Sequence, residues 1–172
     1  MNQNTNIIYK PEYNAKIVHF WLLGLLFLLL LMILIGGLTR LTDSGLSITN
    51  WEPIIGAIPP LSNTDWVLAF DQYKLTNEFK IQNFNMDLME FKVIYWWEWG
   101  HRQFGRLIGF FWFIGFIYLL TFSILPKLLK ISFFALGCLG LLQALIGWWM
   151  VKSGLDKDCL LYTSPSPRDS IA

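Results

Sequence analysis

Residues 17–38 read IVHFWLLGLLFLLLLMILIGGL, and His19 is the one ionisable side chain among them. At 1.5 Å per residue this run reaches about 33 Å, enough to cross a hydrocarbon layer roughly 30 Å thick. It is too long for the apolar core of a signal peptide, and no small-x-small cleavage site follows it. The stretch therefore predicts a retained transmembrane helix.

Two further spans lie downstream. Residues 107–125 run up to Pro126, where a helix can stop, and residues 131–151 form the third. The link 126–130 is so short that the second and third helices must be antiparallel neighbours. The bulk numbers agree with an all-α membrane protein. The chain of 172 residues is 55% hydrophobic and 15% charged, against about a quarter charged in soluble domains, and its mean hydropathy is +0.47. A net charge of +1 gives no basic footprint for nucleic acid. Cys138 and Cys159 sit in an apolar run and near the chain end, so they imply no disulfide framework. There is no Cys-x-x-Cys-His for covalent heme attachment and no zinc-ligand spacing.

Orientation follows from lysine and arginine in short loops. Lys127 and Lys130 crowd the 126–130 link, and Lys10 and Lys16 flank the first span, so residues 1–16 and this link are expected to be cytoplasmic. Residues 39–91 then form an outer loop, and residues 92–125 a second helix whose outer end protrudes. The outer loop carries its own helix signals. Ser62 and Asp65 suit a helix start, and Trp66, Phe70 and Tyr73 then share one face, suited to the membrane surface or to covering the helix ends. Asn85 or Asp87 can cap the next helix, which runs from about Leu88 into the second span. Residues 159–172 turn abruptly to Ser and Pro and read as a non-native tail; the natural protein is then expected to continue beyond Asp158.

The chemistry-bearing stretch is WWEWGHRQFGR, residues 96–106. On a helix, Glu98, His101, Arg102, Gly105 and Gly109 share one face. Counting back about 20 residues from Leu125 puts the hydrocarbon boundary near Arg106, with His101 roughly 7 Å further out. Ionisable residues at the edge of a span are functional candidates. His101 could ligate heme iron through a neutral imidazole. Arg102 and Arg106 could pair with heme propionates, and Glu98 could act as acid, base or nucleophile. A plainer reading stands beside this one. Glu98 and Arg102 could form only a surface ion pair, the arginines could snorkel, and the two glycines could be a helix-packing face. Arg40 could answer the dipole at the end of the first helix or meet an anionic cofactor group. His19 lies at the opposite side of the bilayer from His101, Gln143 suits an interhelical hydrogen bond, and Cys138 suits apolar packing.

Several motifs together resemble a known family. They are GGLTRLTDSGLS (36–47) with Trp51-Glu-Pro, Gly56 and Pro59-Pro60; MDLMEFK (86–92) and WEWGHRQFGR (97–106); and Leu142-Gln143 with GWWMVKSGL (147–155). In this order they are similar to the N-terminal half of heme A synthases, in the proteobacterial and mitochondrial branch that lacks paired loop cysteines. The resemblance implies eight helices in two four-helix halves, of which three spans stand here. It implies oxidation of a methyl group of heme O to the formyl group of heme A by successive hydroxylation, ending in loss of water from a geminal diol. It makes His101 an axial ligand to the heme iron and Glu98 the catalytic carboxylate, with propionates near Arg40, Arg102 or Arg106. A heme b cofactor site is expected in the absent C-terminal half, and the fourth helix with the partner histidine is absent too, so this chain alone is expected to be inactive. The implied setting is a multi-pass protein of the bacterial inner membrane serving terminal oxidase, supplied by heme O synthase. Its electron donor is a separate protein, since no flavin or nicotinamide motif is present, and a homo-oligomer is left open. Two alternatives remain: a b-type cytochrome electron-transfer subunit, or a transporter or assembly factor without heme.

Overall fold

The computed structural model describes residues 15–49 and 55–155. Lys10, the Trp51-Glu-Pro motif and the 159–172 tail lie outside the described residues. Within them the chain is helical: α1 (Ala15–Leu41), a 3-10 turn (Ile55–Ala57), α2 (Asn63–Lys74), α3 (Asn77–Ile81), α4 (Leu88–Phe122) and α5 (Lys127–Leu155). Three of these, α1, α4 and α5, are long and apolar enough to cross a membrane, so the protein is an all-α, multi-pass membrane bundle. At 35 residues, α4 is about 52 Å long and projects well beyond a bilayer core.

The helix starts follow local chemistry. Ser62 caps α2 and Asp65 bonds back to the cap nitrogen, closing a capping box with Asp in place of the usual Glu. Asp87, one of the two candidates, caps α4, and Glu90 completes the box. The link between α4 and α5 lies earlier than the sequence places it. Helix α4 stops at Phe122, with Ser123 extended, and α5 starts at Lys127 directly after Pro126. Proline fits the first turn of a helix as well as it ends one, so Pro126 opens α5.

Helices α1 and α4 are antiparallel. Trp21 meets Gly115, Gly24 meets Phe111, Met32 meets Gly105 and Gly36 meets His101. Two apolar clusters form at different levels of α4. Val18, Trp21, Leu25, Phe116, Leu119, Leu125 and Phe133 tie the three long helices together at one end. Trp66, Phe70, Tyr73, Phe91, Ile94 and Tyr95 fasten α2 to the projecting start of α4. The apolar face of α2 thus packs against the projecting start of α4. Between these clusters along α4 lies a polar layer.

Candidate functional site

The polar layer is built where the end of α1 turns back onto α4. Thr39 Oγ1 donates to the Gly36 carbonyl at 2.8 Å, and Ser44 donates through both its N–H and its hydroxyl to the Thr39 carbonyl at 3.0 Å. Asp43 takes a left-handed conformation (φ 48°), which its short polar side chain tolerates better than most. The turn aims Ser47 and Ile48 at α4. Thr39, Ser44 and Ser47 are all buried.

Their target is Glu98, which is only 3% exposed. Its Oε2 accepts from the Ser47 hydroxyl and from the Ile48 N–H, each at 2.7 Å. Its Oε1 accepts from Arg102 Nε at 3.0 Å and from Arg102 Nη2. The same Nη2 donates to the Ile48 carbonyl at 3.0 Å. The pair is therefore no surface ion pair. It is a buried clamp in which one carboxylate, an acceptor only, meets four donors and fixes the loop to α4. Gln103, next along the helix, donates to the Ala57 carbonyl at 2.7 Å and holds the 3-10 turn.

His101 is half-buried, and its Nε2 lies 3.3 Å from where a Cβ on Gly36 would stand. Glycine at 36 gives the imidazole its place against α1, because a side chain there would crowd the ring. Nothing lies within 4 Å of a Cβ built on Gly109, so the shared face of α4 is open one level further along. The donor set, one imidazole with basic side chains near it, suits a heme iron and its propionates, while Nε2 of His101 here rests against Gly36. His19, seventeen residues from Gly36 along α1, is about 25 Å away along the axis and cannot share the site. Arg40 is exposed at the end of α1 and Arg106 is half-buried one turn beyond Arg102. Arg102 has Nε and Nη2 committed to the clamp.

The structure brings Glu98, His101 and Arg102 together and adds groups that sequence reasoning did not single out. Ser47 was visible only as the last residue of the 36–47 motif, Ile48 lies one position beyond it, and Gly36 was legible only as a glycine allowing close packing or a turn at the end of α1; the signal was that a buried carboxylate needs donors from another segment. Glu78, on α3, is a second such group. Its Oε2 is buried without a hydrogen-bond partner among the described residues. Burial first, then repulsion from Glu98 and Asp43, pushes its carboxyl up to about 8. Tyr73 beside it is also raised by burial, although Asn83 donates to its hydroxyl at 2.8 Å.

A family model described as "Cytochrome oxidase assembly protein" (COX15-CtaA) matches residues 19–169, a range that takes in Cys159 to Asp169 of the tail. A protein named "Heme A synthase" from Cereibacter sphaeroides is 52% identical over 141 residues, covering 82% of this chain and 36% of the relative. One of the same name from Dinoroseobacter shibae is 56% identical over 138 residues, covering 80% of this chain and 36% of the relative. Another, from Maricaulis maris, is 53% identical over 147 residues, covering 86% and 43%. The chain thus spans well under half the length of these relatives. No solved structure matches. The match to more than half of the sequence, together with three membrane-spanning helices, establishes that the chain belongs to the COX15-CtaA family of cytochrome oxidase assembly proteins.

Proposed function

We propose that the full-length protein is an oxidoreductase that converts the methyl group of heme O to the formyl group of heme A, with heme O as substrate at the polar layer and a heme b site in the C-terminal half. The observation that carries this reading is a buried carboxylate, met by four donors, one helical turn from a half-buried imidazole that rests on Gly36 of α1. Support comes also from relatives named for this activity. Bound heme would supply the redox chemistry of each hydroxylation with dioxygen as oxidant, one oxygen atom entering the methyl group and the other leaving as water with two protons and two electrons from a separate donor.

In this reading His101 holds the iron of the substrate heme, and Arg40, Arg102 and Arg106 hold its propionates at the wet edge of the membrane. Glu98 handles protons. In the last step it accepts a hydroxyl proton from the substrate's geminal diol and returns it to the departing hydroxide, leaving an aldehyde and water. The N-terminus is cytoplasmic, the polar layer faces the opposite side of the bacterial inner membrane, and electrons arrive from a separate donor. Heme O synthase delivers the substrate.

The saturation of Glu98 favours one rival, a b-type cytochrome in which this carboxylate only braces the loop. Glu98→Gln in the full-length protein separates the two. An amide has one acceptor oxygen, so one side of the clamp must loosen, and hydrogen exchange at Ile48 reports how much. The expected result is a retained Soret band with heme A formation lost. Heme A made at the normal rate by this variant, or a colourless wild-type protein, refutes the assignment.

A further inference from the structure

We propose that Ser47 is the positioning residue of Glu98: its hydroxyl rotates between two hydrogen-bonding arrangements, so that Oε2 can take up and release a proton without losing its partner. This rests on the reading that Glu98 handles protons.

Four donors hold the carboxylate, and they are not equivalent. The Ile48 N–H and the two Arg102 nitrogens can only donate. A proton arriving on the clamped carboxylate would face them with nothing to accept it, and an unpartnered buried donor is costly. Ser47 Oγ is the exception, since a hydroxyl both donates and accepts. Its proton also has somewhere else to go. The Ser44 carbonyl lies 3.1 Å and the Ile94 carbonyl 3.4 Å from Ser47 Oγ, against 2.7 Å for Glu98 Oε2. With Glu98 ionised, the hydroxyl donates along the shortest of the three. With Oε2 protonated, the hydroxyl turns to the Ser44 carbonyl and accepts from Oε2 over the same separation. Water cannot easily substitute, because Ser44 is 0% and Ser47 2% exposed. Glu98 and Arg102 are the only charged side chains hydrogen-bonded in this arrangement among the described residues, so the hydroxyl is its one adjustable member.

The test uses the full-length protein with Ser47→Ala and Ser47→Thr, the second keeping the hydroxyl. Three quantities are measured: kcat and KM for heme O, the redox-induced infrared difference band of the Glu98 carboxyl (identified by its loss in Glu98→Gln), and hydrogen exchange over residues 44–48. Ser47→Ala is expected to lower kcat about 100-fold, the low end of general acid–base effects. KM and the Soret band stay unchanged, and the infrared band shifts. Ser47→Thr is expected to restore both. An unshifted band and unchanged kcat in Ser47→Ala overturn the proposal. So does exchange over 44–48 rising in Ser47→Ala with no infrared shift, which makes Ser47 only a loop brace. If Glu98→Gln proves fully active, the proton-handling reading fails, whereas the infrared shift still shows whether Ser47 is the partner of Glu98.

Discussion

At the scale of single residues, two acids on the α2–α4 side of the molecule stand in different situations. Glu98 is buried but met by four donors. Glu78 has a buried oxygen that meets none among the described residues, and its carboxyl is pushed from 4.5 up to about 8, mainly by burial. The consequence for stability has a definite sign. Below about 4.5 the group is protonated in both folded and unfolded chains and contributes nothing. As pH rises, the unfolded chain releases its proton first, so the folded state loses relative stability until the folded group also ionises near 8. Glu78→Gln removes this penalty. The variant should melt with wild type at about pH 3.5 and several degrees above it at pH 8.5, by thermal unfolding of the detergent-solubilised full-length protein. Equal melting at both pH values would show that Glu78 is solvated or paired in the folded protein.

At the scale of elements, the same joint is used twice. Trp21 of α1 lies on Gly115 of α4 and donates its indole N–H to the Phe111 carbonyl at 3.3 Å. Trp112 of α4 lies on Gly137 of α5 and donates to the Phe133 carbonyl, also at 3.3 Å. In both cases the accepting carbonyl is four residues before the glycine, so ring and hydrogen bond settle on the same helical turn. A Cβ on Gly115 would stand 2.0 Å from the Trp21 ring and one on Gly137 2.2 Å from the Trp112 ring, whereas Gly140 has nothing within 4 Å. Gly115→Ala and Gly137→Ala should therefore each destabilise the protein by about 1–3 kcal/mol through overpacking, while Gly140→Ala should be neutral or slightly stabilising. Melting temperatures of the three variants check this, and equal values for all three would remove the joint. The sequence marked Gly105 and Gly109 as a packing face, yet the closest approaches fall at Gly115 and Gly137. Spacing shows that a face is small, but which glycine receives a ring depends on side chains of another helix. The caps were legible for the opposite reason: Ser62 with Asp65, and Asp87 at the start of α4, complete their bonds within one turn.

At the scale of the whole molecule, hydropathy made the three long helices and their antiparallel order readable, because the length of an apolar run is a local property. The face shared by Glu98, His101 and Arg102 was readable too, since it follows from helical spacing. The clamp was not, because it joins residues about fifty positions apart through a turn whose shape depends on Asp43 and two buried serines. Orientation is the whole-molecule property that now most needs measurement, because the proposed site depends on it. Lys127 and Lys130 stand at the α4–α5 link and Lys16 near the start of α1, while α2 and α3 cover the far end of α4. The proposed orientation, taken from the positive-inside rule, has the lysine ends in the cytoplasm and the clamp outside. In a variant lacking Cys138 and Cys159, a cysteine at exposed Leu75, in the turn after α2, should react in intact cells with a membrane-impermeant thiol reagent. A cysteine at exposed Leu128 should react only after the membrane is opened. The reversed pattern would place Glu98 and His101 on the cytoplasmic side and carry the proposed substrate site with them.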